Sequence, residues 1–78
     1  MRRPTLARMA DDIHLAMRAY GGRWNTTRAL AALKKLGYIQ PSRTDGRRAL
    51  HILAQRGQAV LHDEPNNRYF TLPGGERR

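Results

Sequence analysis

The sequence predicts an α+β domain in which three helices precede a C-terminal β-hairpin. Three consecutive segments carry apolar residues at intervals of three and four, the spacing of one buried helical face. Glycines and residues whose side chains can cap a helix stand at the ends of these segments. After the third segment, two β-favouring runs, residues 59–62 and 68–72, flank a turn-rich stretch, residues 63–67. These observations together indicate the fold class.

The length and composition are those of one small domain. The chain has 78 residues and no cysteine, so neither a disulfide nor a thiolate metal site is expected. A domain of this size buries only about 60% of the surface of its unfolded chain, so we expect marginal stability. We predict a single domain over residues 1–78, with flexible tails at residues 1–4 and 73–78.

The sequence shows no pattern of a targeting signal or a membrane span. Its first residues are basic but turn acidic before any apolar run, so we expect no signal peptide. No stretch approaches the roughly 18 consecutive apolar residues of a transmembrane helix. We therefore expect a cytoplasmic protein.

The first predicted helix spans residues 5–20. Its apolar face consists of Leu6, Met9, Ala10, Ile13, Ala16, Met17 and Tyr20. The other side carries Asp11, Asp12, His14 and Arg18. Gly21 and Gly22 can adopt the left-handed conformation that ends a helix, so the helix is expected to stop there.

A second helix is predicted after a short extended segment that contains Trp24. Asn25 or Thr26 can cap its N-terminus through a side-chain oxygen. Its apolar stripe consists of Ala29, Leu30, Leu33 and Leu36. Two lysines lie in its last turn, where the helix dipole favours cations, and Gly37 ends it.

The third predicted helix runs from about Arg43 to Arg56 and stops at Gly57. Ser42, with the acidic residue three positions later, forms the S-x-x-D pattern of a capping box. At 100° per residue, one side of the helix gathers the positions that would pack on the first two helices: Gly46, Ala49, Leu50 and Leu53. Glycine costs a helix about 1 kcal/mol relative to alanine, so we interpret Gly46 as a point where the second helix passes close by.

The charge balance points to a polyanionic partner. The chain has 15 lysine and arginine residues against six aspartate and glutamate residues, a formal net charge of +9. Such a charge attracts nucleic acid, an anionic membrane or an acidic protein. Nearly all the cations are arginines, whose planar fork suits phosphates and guanine edges, so nucleic acid is favoured. An arginine-rich genome is the alternative explanation of the count.

The order of these elements resembles the winged helix-turn-helix superfamily of DNA-binding domains. The residues that carry the resemblance are RWNTTRALAALKKLGYIQPSRTDGRRALHILAQRGQAVLHDEPNNRYFTL, residues 23–72. The resemblance implies that the third helix enters the major groove, while the hairpin, or wing, contacts backbone or minor groove. Some winged helices bind proteins or RNA instead, so fold alone does not decide function.

The third helix supplies the predicted base contacts: four residues lie opposite its apolar side, Arg47 lies on the flank, and Arg43 lies in the first turn, where recognition helices commonly reach base edges. The predicted contacts are Arg43, Thr44, Arg47, Arg48, His51 and Gln55. Arginine can bind guanine with two hydrogen bonds, and glutamine can bind adenine in the same way. The alternative is a polar helix side that is merely solvated.

Further residues are predicted to contact the DNA backbone or to act through the wing. They are Thr26, Thr27, Arg28, Ser42, Asn66, Asn67 and Arg68. The N-terminal amides of the second helix can receive a phosphate, although plain capping is a simpler role. Arg68 has an alternative too, an ion pair with Asp63 or Glu64 across the hairpin, and these two acids are unusual in a tip that meets phosphates. The aromatic residues Trp24, Tyr38, Tyr69 and Phe70 are expected in the core or in strand pairing rather than stacked on bases.

We expect a double-stranded DNA-binding protein, a transcriptional regulator or an accessory factor of a mobile element, and not an enzyme. The three histidines lie on separate elements without zinc-site spacing, and no nucleophile or phosphate-loop motif is present. We therefore expect no metal, cofactor, membrane or small-molecule substrate. Because one small module makes few contacts, homodimer formation or cooperative assembly is expected. The alternatives are a module that docks an acidic protein and an RNA-binding protein.

Overall fold

The architecture follows from a computed structural model that describes residues 5–74. Three helices are followed by a two-stranded antiparallel hairpin, which confirms the predicted α+β class and the layout of a winged helix-turn-helix. The elements are α1 (Leu6–Tyr20), α2 (Thr26–Lys35), α3 (Arg43–Gln55), β1 (Val60–Glu64) and β2 (Asn67–Thr71). Of the proposed tails, residues 1–4 and 73–78, the segments 1–4 and 75–78 lie outside the described residues, and residues 73 and 74 lie in a turn.

Each helix begins at a side chain that accepts a hydrogen bond from the first turn. Thr5 accepts from the amide of Arg8 in α1, and Asn25, rather than Thr26, caps α2. At α3, Ser42 accepts from the amide of Asp45, whose carboxylate accepts from the amide of Ser42 in return. This is the capping box that the sequence predicts, and it fixes where α3 starts.

The core lies where α3 crosses the other two helices beneath the hairpin. The largest fully enclosed side chains are Trp24, Ile13, Met17, Leu33, Leu50 and Leu53. The predicted inner side of α3 is confirmed, because Gly46, Ala49, Leu50 and Leu53 are all buried. Removing each large apolar side chain from water contributes about 1.5–3 kcal/mol, so this contact fixes which side of α3 stays outside.

Two residues assigned to apolar stripes are exposed instead. Tyr20 is 75% exposed and Leu36 is 54% exposed. Tyr20 is the last residue of α1 and Leu36 is the C-cap of α2. The periodicity continues to the end of each helix, but no element within residues 5–74 covers these final positions, so the prediction was wrong for both.

Gly46 lies close to α2, as expected, but the space does not require a glycine. A β-carbon at this position would lie 3.6 Å from the Thr26 carbonyl oxygen and 3.8 Å from the Ala29 β-carbon. These are ordinary van der Waals separations. A methyl group therefore fits between the helices, and only a larger side chain would force them apart.

The hairpin is longer, and its turn shorter, than the sequence predicts. The register pairs Asp63 with Arg68 and Glu64 with Asn67, so the strands take in most of the stretch assigned to the turn. Only Pro65 and Asn66 remain between them. Asn66 has a φ of 63°, and asparagine tolerates this left-handed conformation better than most residues. Strand pairing therefore brings the acids of the tip opposite β2.

A single β-bridge attaches the hairpin to the segment between α1 and α2. The Trp24 amide donates to the Phe70 carbonyl at 2.8 Å, and the Phe70 amide donates to the Trp24 carbonyl at 2.7 Å. The extended segment predicted around Trp24 is therefore present. It holds the hairpin beside the start of α2.

The turn between α2 and α3 is fastened to α1 by Tyr38. The hydroxyl of Tyr38 donates a hydrogen bond to the carboxylate of Asp12. Burial of the phenol, followed by the hydrogen bond and the negative charge of Asp12, raises the pKa of Tyr38 to about 12. The neutral phenol is therefore the form that the fold requires.

Candidate nucleic-acid interface

The outer side of α3 carries the predicted base-contacting residues in two rows. One row, with four-residue spacing, consists of Arg43, Arg47 and His51, and the other consists of Thr44, Arg48 and Gln55. All six are exposed except His51, which is half-buried. The apolar residues of α3 face the core, so these polar side chains lie on the solvent side of the helix.

The first row lines a groove between three elements, which we call the interface groove. It encloses about 220 Å³ and is lined by Asn25, Thr26, Thr27, Arg43, Arg47, His51, Arg68 and Phe70. The start of α2, the outer side of α3 and the hairpin thus meet at one concave surface. Six of the predicted contact residues come together here, and Arg48, Thr44 and Gln55 extend the polar surface beyond it.

Arg43 joins the start of α3 to the start of α2. Its Nη1 donates to the Thr27 hydroxyl at 3.3 Å, and both side chains are exposed. The remaining N–H groups of the guanidinium are available for an anion at the same place. The amides of Thr26 and Thr27 belong to the first turn of α2, which lacks intrahelical acceptors and carries the positive end of the helix dipole.

His51 forms part of the floor of the groove. Its ring meets the Phe70 ring edge to face, with centroids 5.5 Å apart and an interplanar angle of 87°. The contact orients the imidazole and leaves it only partly open to solvent. His51 therefore links α3 to the hairpin, and its side chain is shorter than those of the arginines beside it in the groove.

Arg28 is held by its own neighbours rather than directed at the groove. Its guanidinium lies 4.1 Å from the centre of the Trp24 ring, and Nη1 donates to the Arg23 carbonyl at 2.8 Å. Its amide donates to the Asn25 side chain. These contacts fasten the extended segment to α2, and a phosphate contact by Arg28 stays a prediction.

The hairpin tip shows the cross-strand pair that the sequence leaves open as an alternative. Arg68 Nε and Nη2 donate to the two carboxylate oxygens of Asp63, each at 3.3 Å. Glu64 accepts a hydrogen bond from the Tyr69 hydroxyl at 3.3 Å. Asn66 and Asn67 are exposed at the end of the hairpin. The wing therefore presents amides at its tip and a paired arginine on its flank.

The aromatic residues are mostly structural, as expected. Trp24, Tyr69 and Phe70 are buried, and Trp24 Nε1 donates to the Gly21 carbonyl at 3.0 Å. Tyr38 is half-buried against Asp12. Base stacking by these four side chains would require them to leave their present contacts.

Sequence reasoning did not assign two residues of this region to the interface. Asn25 lines the groove in addition to capping α2. Arg23 is exposed, and its guanidinium lies 4.7 Å from the centre of the Tyr69 ring, beside the hairpin. The only signal was their position between two glycines and a helix start, and the β-bridge that brings them to the hairpin is not visible in the sequence.

Comparisons with known proteins give no functional assignment, which therefore depends on the geometry described above. No family model, curated protein or solved structure matches the chain. Over residues 5–74, no three histidine or acidic side chains are grouped as metal ligands would be. None of the helices within that range has the length and apolar character needed to span a bilayer. A further hypothesis from the sequence, a minor-groove arm formed by Arg2 and Arg3, concerns residues outside the described range.

Proposed function

We propose that this protein binds double-stranded DNA, with α3 in the major groove and the hairpin against the adjacent backbone or minor groove. One observation carries the proposal. Arg43 and Arg47 converge with the first turn of α2 on one concave surface, while every fully buried residue of α3 faces the core. A helix that is anchored on one side and basic on the other suits insertion between two phosphate chains.

We assign base recognition to the second row of α3, which consists of Thr44, Arg48 and Gln55. Arg48 and Gln55 are exposed and lie farthest from the inner side of the helix. Arginine pairs with the O6 and N7 atoms of guanine, and glutamine with the N6 and N7 atoms of adenine. Thr44 can contact either kind of base edge or a thymine methyl group. Sequence preference should therefore depend on these three residues.

The interface groove is the part we assign to phosphate binding. Arg43 and Thr27 already lie within hydrogen-bond distance of each other, so a phosphate oxygen placed between them replaces one contact with several. Hydrogen bonds between charged partners are about twice as strong as neutral ones. Arg47 adds a further cation on the same row of α3.

The decisive experiment is a titration with random-sequence duplex DNA at several salt concentrations. If about six phosphates are contacted, the logarithm of the binding constant falls with the logarithm of salt at a slope near −5. Selection from a random DNA pool at physiological salt then reports the preferred site. Absence of any complex at moderate salt would reject the proposal.

A protein partner is the second candidate, because Asp63 and Glu64 place negative charge on the wing. This charge opposes a phosphate and suits a partner that has cations of its own beside an acidic patch. Under this proposal the basic side of α3 docks an acidic protein. Competition between duplex DNA, structured RNA and an acidic peptide for the protein would separate the three partners.

The biological role we propose is that of a transcriptional regulator or an accessory factor of a mobile element. The chain has 78 residues, and we assign its exposed basic surface to DNA without invoking a catalytic centre or a cofactor. A DNA-binding module of this kind acts through the DNA site that it occupies and the proteins that it brings to that site. A location with the nucleoid follows from this proposal and can be tested by imaging a labelled chain.

A further inference from the structure

The hairpin carries one arginine, and that arginine is paired. Arg68 is the only lysine or arginine between residues 57 and 74. It lies opposite Asp63 in the strand register, and its Nε and Nη2 donate to the two carboxylate oxygens at 3.3 Å each. The same side chain lines the interface groove with Arg43 and Arg47. The wing's only cation thus lies beside the groove and is held by an acid.

The pair lies on the side of the hairpin that faces α3. Alternate residues of a strand share a side, so Arg68 lies on the side of Phe70, whose ring contacts His51. Asp63, opposite Arg68, is on that side too. A phosphate bound in the interface groove would therefore meet both the guanidinium and the carboxylate that holds it.

We propose that Asp63 determines how strongly the wing engages DNA, because it occupies Arg68 and adds a negative charge beside the groove. This inference rests on the proposed function. With Asp63 present, the wing contributes less to the affinity than it would with Arg68 unpaired. The side chains of Arg68 and Asp63 are 55% and 60% exposed, so water screens the ion pair and a phosphate can compete with Asp63 for Arg68.

Glu64 provides a matched control for the charge alone. It is adjacent in sequence and carries the same charge, but it points to the other side of the strand. Its carboxylate accepts from the Tyr69 hydroxyl and leaves the Arg68 pair intact. Glu64→Gln and Asp63→Asn therefore change the net charge equally, and only the second removes the negative charge and one of the two acceptor oxygens that hold Arg68.

The test measures the affinity of five chains for a short random-sequence duplex by fluorescence anisotropy, from about 50 to 200 mM salt. The chains are the natural sequence, Asp63→Asn, Glu64→Gln, Arg68→Ala and the Asp63→Asn/Arg68→Ala double variant. Thermal unfolding of each variant checks that it is folded, which is the expected result for substitutions at exposed positions.

We expect Asp63→Asn to bind about twofold to fivefold more tightly than Glu64→Gln at the lowest salt, the range that an exposed ion pair allows. Its salt slope should be steeper by about one, since one further phosphate is contacted. The excess should disappear when Arg68 is absent: the double variant should exceed Arg68→Ala only by the factor by which Glu64→Gln exceeds the natural sequence.

Each other outcome decides between the two proposals. Equal affinities of Asp63→Asn and Glu64→Gln, or an excess that survives Arg68→Ala, overturn the role of Asp63 and leave DNA binding standing. If only Asp63→Asn binds, the role of Asp63 is supported and DNA binding by the natural chain is rejected. If no chain binds, both proposals are overturned.

Discussion

Arginine side chains play different roles in this protein according to what each one contacts. Arg56 donates to Asp11 at 2.8 Å and joins α3 to α1, and Arg28 lies over the Trp24 ring. Arg68 pairs with Asp63. Arg47 and Arg48 are exposed on α3. Composition counts these residues alike, but only the last two present an exposed guanidinium on the outer side of α3.

Arg48→Ala tests base recognition at the scale of one residue. We expect binding to the selected site to weaken by about 1–3 kcal/mol and the sequence preference at one base pair to relax. Arg18→Ala, which removes an exposed arginine from α1, is the control and should cost little on any duplex. Competition titrations with the selected and scrambled sites measure both quantities. An equal loss on every sequence would make Arg48 a phosphate contact instead.

Gly46→Ala tests the helix contact on the inner side of α3. The added methyl group finds ordinary contacts with Thr26 and Ala29, and alanine is the better helix former. We expect the free energy of unfolding in urea to rise by about 0.5–1 kcal/mol, with unchanged DNA affinity because the residue faces α2. Gly46→Leu should destabilise the domain, since its bulk would separate the helices. A loss of stability in Gly46→Ala would contradict the contact distances.

At the scale of elements, local chemistry explains how much of the fold the sequence could predict. The Ser42–Asp45 capping box and the glycine after each helix act within a few residues, so the helix ends were predicted to within about one residue. The wing turn was predicted too long, because strand register depends on pairing across the hairpin. The helix period likewise identified the polar, exposed side of α3. It could not identify Asp63 as the partner of Arg68, because that pair depends on the strand register of the folded hairpin.

The turn before α3 should give the protein a specific sensitivity to high pH. The pKa of Tyr38 is about 12 in the folded protein, whereas tyrosine in an unfolded chain titrates near 10. Above about pH 10 the unfolded chain loses this proton and the folded chain keeps it, so unfolding becomes easier as the pH rises towards 12. The contribution is fully present below pH 10 and is lost across this interval.

Tyr38→Phe isolates this effect from other groups that titrate at high pH. The variant lacks the hydroxyl that donates to Asp12, so it should be less stable near neutral pH. The stability difference between the two proteins should shrink as the pH rises from about 10 to 12. Urea unfolding at intervals of pH measures this difference. A constant difference across the interval would show that the phenol is not held in its neutral form.

At the scale of the whole molecule, the net charge favours binding to any duplex, whereas the small size limits how selective that binding can be. The net charge of +9 favours rapid association with any duplex, which carries no sequence information. Under the proposed function, base recognition would rest on the few side chains of one helix, and single modules bury only about 600–1,000 Å² on DNA. Under the proposed function, we therefore expect tight and selective binding to one site to involve a second copy on the same duplex.

We accordingly expect the selected DNA site to contain two half-sites with two-fold symmetry. Their centres should lie about 10 base pairs apart or at a multiple of that spacing, because both α3 helices must enter the groove from the same side of the duplex. Sedimentation of the complex should give two chains per site, and the binding curve should be cooperative. A duplex of equal length with one half-site scrambled is the control, and it should bind more weakly and without cooperativity. A one-to-one complex on an asymmetric site would show instead that α3 and the wing of one chain suffice for selective binding. The additional DNA contacts would then be assigned to the hairpin tip, where Asn66 and Asn67 are exposed.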